Sequence, residues 1–190
     1  MDTRKKLLTI AAEEIYNKGY EAASINKILQ LAKINKGSMY HFFKSKKELT
    51  LAMIEDNVEE YIETKYGSIL NAKKDYIKNI LSVFREKEKY NIFCGCRLNN
   101  LVQELSHKDN DFKIALEKVY FRFEEIIKIA LEKAISNNEI KHQDVKRLSI
   151  YVVASLEGCL STAKKSQDTG IFLTCIDELE SYLRSLKPQN

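Results

Sequence analysis

The sequence has very little of what interrupts helices. Its 190 residues contain a single proline, Pro188, and only six glycines. Because proline removes a backbone donor and glycine loosens a helix, so few of either residue favour a helical protein. No apolar run approaches the roughly 20 residues of a transmembrane helix, and the N-terminus lacks the apolar core of a signal peptide. We therefore expect an all-α protein that is cytoplasmic and has no membrane partner.

Residues that build metal, redox and catalytic sites are also scarce. The Cys94-Gly95-Cys96 segment lacks the second ligand pair of a zinc site, and the three histidines do not cluster with it. A cytosolic protein gives no reason to expect structural disulfides. We find no nucleophile and base pair, phosphate loop or metal-ligand spacing. The prediction is a protein without catalytic residues, metal or cofactor, and an enzyme with a helical ligand cavity is a weak alternative.

Positive charge is concentrated near the N-terminus. Residues 1–50 carry ten Lys and Arg against five Asp and Glu, whereas the remaining 140 carry 21 against 22. A solvated helix surface would account for some of these lysines. Combined with the motif described next, however, the excess indicates a surface that binds nucleic-acid phosphates.

Residues 24–43 predict two short helices joined by a tight turn. Ile25, Ile28, Leu29 and Ala32 recur at helical spacing, and Ser24 can accept a hydrogen bond from a first-turn amide. The turn Lys33-Ile34-Asn35 ends this pattern, and its Asn35 can cap a second helix that begins at Lys36. Two helices joined by about three residues form a helix-turn-helix, whose second helix enters the DNA major groove.

The second helix, 36–43, has a composition suited to DNA contact. Met39, Phe42 and Phe43 are spaced to anchor it on a core, which leaves the other side chains outside. Glycine inside a helix costs roughly 1 kcal/mol relative to alanine, and close approach of a phosphate or base edge would explain Gly37. The following Ser45–Glu48 segment has the form of a capping box. The predicted DNA-binding residues are Ser24, Asn35, Lys36, Gly37, Ser38, Tyr40, His41, Lys46 and Lys47.

This N-terminal quarter resembles the TetR family of bacterial transcriptional regulators. The resemblance rests on the Gly19-Tyr20 pair, the turn, the Lys-Gly-Ser-x-Tyr-His-x-Phe segment at 36–43 and the helix start at 46–49. One departure is Lys33, where the family usually has glycine. A lysine there must either adopt a left-handed conformation or change the turn.

The resemblance implies a DNA-binding domain at 1–47 and an effector-binding and dimerisation domain at 48–190. We expect a first helix at 4–18 and a fourth running from Lys46 to about Tyr66, which would act as a lever between the domains. Further helices are predicted near 72–89, 94–106, 110–136, 144–165 and 170–186.

In the TetR family the last two helices pair with those of a second subunit. Here they correspond to Val145–Lys165 and Gly170–Leu186, which carry too much apolar surface for one exposed face. A single helical core could absorb part of that surface. A homodimer would also read two half-sites of a palindromic double-stranded operator. The predicted interface residues are Val153, Glu157, Leu160, Phe172, Cys175, Leu179 and Tyr182.

A second segment resembles the Gly-Cys-x-x-x-Asn-x-x-x-Glu-Leu pattern of a TetR subgroup that includes electrophile-sensing and small-acid-sensing repressors. Cys96, Asn100 and Glu104 follow one another at one-turn intervals on one helix face. Asn100 and Glu104 either contact an effector or crosslink neighbouring helices. Cys96 is either a small core residue or a thiol sensor, which Lys164 or Lys165 could approach.

Aromatic side chains complete the predicted effector site, although most aromatic residues at helical spacing are ordinary core. The candidates are Phe93, Tyr120, Phe123 and Tyr151. Glu157 beside Gly158 indicates either tight dimer packing or the polar wall of a pocket.

Together these features predict a homodimeric TetR-type repressor that leaves its operator when a small molecule or electrophile acts on the C-terminal domain. Two alternatives are a DNA-binding architectural protein without an effector and a regulator switched through the Cys96 thiol. Activation instead of repression is a further option.

Overall fold

The structure, a computed structural model, describes residues 2–86, 88 and 90–188. Its α-helices are α1 Thr3–Lys18, α2 Ile25–Ala32, α3 Lys36–Phe42, α4 Lys46–Met53, α5 Glu59–Tyr66, α6 Tyr76–Arg85, α7 Arg97–Leu105, α8 Asn110–Ser136, α9 Val145–Ser166 and α10 Thr169–Ser185. Across these described ranges there is no β-strand, so the all-α prediction is confirmed. No helix within them is both long and apolar enough to cross a bilayer.

Most predicted helix bounds agree with these within a few residues, but two predictions need comment. The helix expected at 72–89 is the shorter α6, which ends at Arg85, and two of its predicted residues, Lys87 and Lys89, lie outside the described residues. The single helix expected from Lys46 to Tyr66 is helical throughout, but a π-helical segment, Ile54–Val58, separates α4 from α5.

The described chain divides into two compact units. The first extends to Tyr61 and also includes Arg97–Val119, and the second combines Ile62–Cys96 with the residues from Tyr120 onwards. In the first unit α1 packs against α2, α3 and α4. The core between them is formed by fully buried apolar side chains, among them Leu7, Leu8, Ile28, Met39 and Leu49. Burial of this apolar stripe fixes which side of α3 faces outward.

The turn between α2 and α3 is left-handed at Lys33, with φ 53° and ψ 44°. Of the two options for a lysine in this position, the chain therefore adopts the strained conformation, which costs a residue with a Cβ roughly 1–2 kcal/mol. The turn is closed by the N–H of Ile34, which donates to the carbonyl oxygen of Leu29 at 3.1 Å. The register of the helix-turn-helix is thus kept without glycine.

Side-chain caps fix the starts of the next two helices. The N–H of Ser38 donates to Asn35 Oδ1 at 2.8 Å, and the N–H of Glu48 donates to Ser45 Oγ at 3.0 Å. The Glu48 carboxylate in turn accepts from the N–H of Lys44 at 2.8 Å, which completes the capping box one residue earlier than in its usual form. Ser24 occupies the N-cap position of α2 but makes no capping hydrogen bond with its side chain, so that expectation was wrong.

In the second unit α10 packs against α9 and α6. Its core is rich in fully buried aromatic rings, including Tyr66, Phe84, Phe123 and Phe172. A disulfide between Cys159 of α9 and Cys175 of α10 joins these helices, with Cα atoms 5.5 Å apart. The expectation of no disulfide was therefore wrong, because the short turn after α9 folds α10 back and brings the two cysteines together. Cys94 and Cys96 are not part of this disulfide and keep their thiol groups.

Candidate DNA-binding surface and a buried polar cluster

Helix α3 presents a polar and aromatic face to solvent, which we call the recognition face: Lys36, Gly37, Tyr40 and His41. All four residues are exposed. The Lys36 ammonium lies 5.8 Å from the centroid of the Tyr40 ring, so the aromatic side chain and the charge are held side by side.

Residues on the opposite side of α3 and just beyond it hold the recognition face in place. Met39 and Phe43 are buried as predicted, while Phe42 is only half-buried. Ser38 is also half-buried, and its amide is used by the Asn35 cap. The arrangement leaves lysine, tyrosine and histidine side chains available to a duplex while apolar anchors fix the helix from behind.

Gly37 has no structural need to be glycine within the chain itself. A Cβ added there would approach only Asn35 Oδ1, at 3.4 Å, which is an ordinary van der Waals distance. Since glycine also lowers helix stability, packing among the described residues does not explain its presence, and its contact with DNA stays a prediction.

The lysines at the start of α4 are engaged within the first unit. Lys46 donates to the carbonyl oxygen of Glu21 at 3.2 Å. The Lys47 ammonium pairs with carboxylates of Asp109 and Asp111, both at 2.7 Å, and these hydrogen bonds raise the pKa of Lys47. Lys47 is thus engaged by two carboxylates 62 and 64 residues away in sequence, and its contact with the DNA backbone stays a prediction.

Other lysines around α3 are exposed and were not among the predicted residues. They are Lys27 on α2, Lys33 in the turn and Lys44 after α3. The local charge excess could have identified them, since exposed lysines beside a recognition helix are the usual phosphate contacts.

Glu104 of α7 binds the loop between α1 and α2. Its carboxylate oxygens accept hydrogen bonds from the N–H groups of Tyr20 and Glu21, at 2.8 and 2.9 Å. A Cβ on Gly19 would come within 3.2 Å of the same carboxylate, and Gly19 has φ +82°. The expected effector role of Glu104 is thus corrected in favour of the alternative that it crosslinks neighbouring elements.

Two ion pairs hold the two ends of α7 within the first unit. Arg97, at the start of α7, pairs with Glu13 of α1 at 2.7 Å, and its guanidinium lies 4.2 Å from the Tyr16 ring centroid. Lys108, just after α7, pairs with Glu21 at 2.8 Å. Asn100 is half-buried on the same helix. Helix α7 is therefore fixed to α1 and to the loop that precedes α2.

The second unit contains a buried polar cluster, which we define as Lys65, Tyr66, Tyr90, Cys96 and Glu157. The side chains of Cys96, Glu157 and Lys65 are exposed by only 3, 4 and 5%. The Lys65 ammonium lies 3.6 Å from the centroid of the Tyr90 ring. Lys65, Tyr66 and Tyr90 were not predicted, although a lysine three residues after Ile62 on the buried side of α5 could have drawn attention.

Glu157 is the unusual member of this cluster. Neither of its carboxylate oxygens, both buried, has a hydrogen-bond partner of normal geometry among the described residues. Burial raises the pKa of Glu157 to about 7, while the adjacent Cys96 thiol and the Lys65 ammonium lower it. A buried carboxyl whose neighbouring donor is a thiol, which is a weak one, is costly and calls for an explanation. Its dimer-interface assignment is corrected, because the side chain lies inside the subunit beside Cys96.

Aromatic rings surround the buried polar cluster. Tyr66 stacks on Phe123 with centroids 4.1 Å apart, and Tyr90 packs against Phe172 at 5.0 Å. Burial raises the pKa of Tyr120, and the nearby Glu157 and Cys96 raise it further. Three of the predicted effector residues, Cys96, Tyr120 and Phe123, therefore belong to one region.

Two other predicted effector residues lie elsewhere. Phe93 is 73% exposed and Tyr151 is 49% exposed. Tyr151 packs edge-on against Tyr182 at 4.9 Å, and both line an open depression of about 700 Å³ beside the start of α9. The effector role expected of Phe93 is therefore corrected, because its side chain is mostly exposed to solvent. For Tyr151, which lines this depression, the effector role stays a prediction.

The predicted dimer residues are mostly core residues of the subunit itself. Val153, Leu160, Phe172 and Leu179 are at most 3% exposed, so they cannot form a surface for a second copy. Cys175 is half-buried in the disulfide. Only Tyr182 is clearly exposed. The outward stripe of α9 is offset from the predicted one and consists of Ile150, Tyr151, Ala154, Gly158 and Ser161.

No group of three or more His, Cys, Asp or Glu side chains that could hold a metal ion occurs in the part of the chain that the structure describes. The two units offer a recognition face on α3 and a buried polar cluster.

Comparison with known proteins assigns the chain to a family. The profile of the bacterial regulatory proteins of the tetR family matches residues 7–53, and that of the C-terminal domain of LmrA/YxaF-like transcriptional regulators matches residues 70–178. An uncharacterised helix-turn-helix transcriptional regulator of Lactococcus lactis is 30% identical over 95% of this chain and 92% of its own length.

A second relative is known both by sequence and by structure. The transcriptional repressor NemR of Escherichia coli K12 is 27% identical over 62% of this chain and 61% of its own. The crystal structure of E. coli NemR in its reduced form superposes with a TM-score of 0.85 at 23% identity, covering 95% of this chain and 96% of that one. The protein is therefore a DNA-binding transcriptional regulator and not an enzyme, and it belongs to the TetR family.

Proposed function

We propose that the protein is a homodimeric repressor that binds a palindromic double-stranded operator and releases it when a small molecule or electrophile acts on residues 48–190. The observation that carries this proposal is the recognition face of α3, where buried Met39 holds the exposed Lys36 and Tyr40 in position. Repression is favoured over activation because the relative NemR is named a repressor.

The proposed division of labour assigns DNA binding to 1–47 and effector binding and dimerisation to 48–190. This functional division is distinct from the compact units, since Arg97–Val119 belongs to the same unit as the helix-turn-helix. The contacts of Glu104 and Lys47 explain this difference. Glu104 binds the N–H of Tyr20, and Lys47 pairs with Asp109, so residues after 47 are held against residues of the DNA-binding part. The effector-binding part thereby supports the recognition face directly.

Dimerisation is supported by the outward stripe of α9. Ile150 and Tyr151 are large exposed apolar residues, whereas Ala154 and Gly158 are small. A Cβ added at Gly158 would meet no atom within 4 Å. Large residues beside small ones allow a helix to approach a second helix closely, so this stripe suits pairing with its twofold mate.

A charge on this stripe tests the dimer. Gly158→Arg should convert the protein to monomers in sedimentation equilibrium and weaken operator binding. Ser82→Arg is the matched control, because Ser82 is exposed on α6, away from the stripe. A dimer that survives Gly158→Arg with its mass unchanged would refute this interface.

DNA contacts are tested by gel-shift titration. Tyr40→Ala should weaken binding to all sequences alike, because we assign Tyr40 to the DNA backbone. Lys46→Ala should have the same effect, since we propose that the Lys46 ammonium leaves the carbonyl oxygen of Glu21 to contact a phosphate when DNA binds. Lys36 or Ser38 variants should change the preference among bases by about 1–3 kcal/mol. Lys78→Ala, an exposed lysine in the second unit, should change nothing. Undiminished binding by Tyr40→Ala would count against the proposed docking.

The sensing step is proposed to occur at Cys96, as a thiol switch. The proposal is supported by the position of Cys96 in the buried polar cluster, beside Glu157, whose carboxylate oxygens have no hydrogen-bond partner of normal geometry among the described residues. The alternative of an architectural DNA-binding protein without an effector does not need such a cluster. Alkylation with N-ethylmaleimide, followed by operator titration, tests the switch. Full modification of Cys96 with unchanged affinity would exclude it.

A further inference from the structure

A sensing thiol at position 96 meets a chemical obstacle. The reactive form of cysteine is the thiolate, and apolar surroundings disfavour its formation. Cys96 is only 3% exposed and lies among buried aromatic rings, so water cannot readily take up its proton. If this thiol reacts with an electrophile, a group inside the protein must accept the proton.

Glu157 is placed to be that group. It is buried in the same cluster, and the two side chains interact closely enough for the thiol to lower the pKa of the carboxyl. Its oxygens have no competing donor of normal hydrogen-bond geometry among the described residues. A proton arriving on either oxygen would therefore break no existing hydrogen bond and would remove a buried negative charge.

We propose that Glu157 accepts the proton of the Cys96 thiol as that thiol adds to an electron-poor alkene, the class of electrophile conjugated to a carbonyl. This inference rests on the proposed function of Cys96 as a sensor and assigns the residue that makes the sensor reactive. In the step, the S–H proton moves to a Glu157 oxygen and the sulfur electron pair forms a bond to the β-carbon. The alkene electron pair moves towards the carbonyl oxygen.

The addition is completed when the proton returns from Glu157 to the α-carbon. The product is a thioether, the carboxylate is regenerated, and no oxidant or reductant is needed. The Lys65 ammonium belongs to the same cluster and favours negative charge there, as its lowering effect on the pKa of Glu157 shows. It can therefore stabilise the anion that exists between the two proton transfers. Glu157 also has a pKa of about 7, which suits a proton acceptor at neutral pH.

The chain offers an internal reference for the test. Cys94, two residues away, is a second cysteine outside the disulfide and is only half-buried, so a reagent in solution can reach it more easily than Cys96. N-ethylmaleimide should modify both thiols, and peptide mass spectrometry reports each rate separately. The variant is Glu157→Gln, which has nearly the same shape but cannot accept a proton. Glu157→Asp retains a carboxylate as the conservative control.

We expect Glu157→Gln to slow modification of Cys96 at pH 7 by on the order of 10²-fold, a typical effect of a positioned acid or base. The Cys94 rate should not change. In the wild type the Cys96 rate should rise through about pH 7 and level off, whereas in Glu157→Gln it should keep rising with hydroxide up to pH 9. Glu157→Asp should recover part of the rate.

Two results distinguish a failure of the role of Glu157 from a failure of the Cys96 switch. Equal Cys96 rates in wild type and Glu157→Gln between pH 6 and 9, with both proteins folded by thermal denaturation, would overturn the role of Glu157. The sensor itself would still stand. If Cys96 is modified in the wild type without any loss of operator affinity, the proposed switch fails, whatever the rates show about Glu157.

Discussion

The hydrogen bonds of Glu104 provide the most direct test of how α7 supports the helix-turn-helix. Glu104→Ala removes both carboxylate oxygens that accept from the N–H groups of Tyr20 and Glu21. The loop between α1 and α2 then loses its link to α7. Operator binding should weaken with it, because the loop sets the position of the helices that carry the recognition face.

The size of the effect can be derived from the contacts. Hydrogen bonds to a charged group contribute about 1.5–3 kcal/mol each when buried. The bond to Tyr20 is partly buried and the bond to Glu21 is exposed, so water replaces part of the loss. We therefore expect the free energy of unfolding to fall by about 2 kcal/mol, which lowers the Tm of a protein of this size by about 4–8 °C.

Amide hydrogen exchange is the decisive assay. A loss of about 2 kcal/mol corresponds to roughly 30-fold faster exchange when an amide opens locally. This acceleration should be confined to the amides of Tyr20 and Glu21 and their neighbours. Gln103→Ala is the matched control, because Gln103 is exposed on the same helix. Unchanged protection of both amides in Glu104→Ala would refute the proposed role, even if the Tm fell.

Three further predictions concern other positions. Gly37→Ala should leave the protein as stable or more stable by up to about 1 kcal/mol, since its Cβ meets only Asn35, but it should weaken operator binding in a titration. Cys159→Ser should lower the free energy of unfolding by about 3 kcal/mol, as expected for a loop of this length, and dithiothreitol should have the same effect on the wild type because Cys175 loses its partner either way. For Glu157, burial raises the pKa from 4.5 to about 7, so the folded protein binds more protons than the unfolded chain between these values and loses stability as the pH rises. Glu157→Gln should therefore be more stable than wild type by about 3 kcal/mol at pH 8 and show no such gain at pH 4, as urea unfolding at the two pH values would show.

Local features of the fold were predictable because they depend on residues a few positions apart. The Asn35 cap, the capping box after Phe43 and the apolar stripe of α2 each follow from spacings of three or four residues. Even the left-handed Lys33 was foreseen as one of two options. The recognition face was predictable in the same way, because it consists of the α3 residues that remain exposed once the buried residues of the helix are assigned.

The interactions that tie distant segments together were not predictable from one sequence. Glu104 and Tyr20 are 84 residues apart, and nothing in the spacing of either indicates the other. The same holds for Lys47, whose sequence context suggested a free cation but whose partners lie at the start of α8. Charged residues were assigned to DNA or effector because their protein partners could not be seen.

Helix α9 shows a different difficulty, because it is apolar on more than one side. Val153 and Leu160 face the core of the subunit, whereas Ile150 and Tyr151 are exposed. Helical periodicity identifies such stripes but does not decide which one the chain covers itself. The assignment of the dimer surface to the wrong stripe, and of Glu157 to an interface, both follow from this ambiguity.

Helix α7 begins directly after Cys96 and carries Glu104 two turns later, so one short helix connects the proposed sensor to the α1–α2 loop along the chain. The two residues should therefore be separable by experiment. Glu157→Gln should slow the chemistry at Cys96 but leave the loss of operator affinity per modified thiol unchanged. Glu104→Ala should do the reverse, since it leaves the cluster of Cys96, Lys65 and Glu157 untouched and weakens only the link to the loop. If Glu104→Ala instead altered the rate at which N-ethylmaleimide modifies Cys96, the two functions could not be assigned to separate contacts.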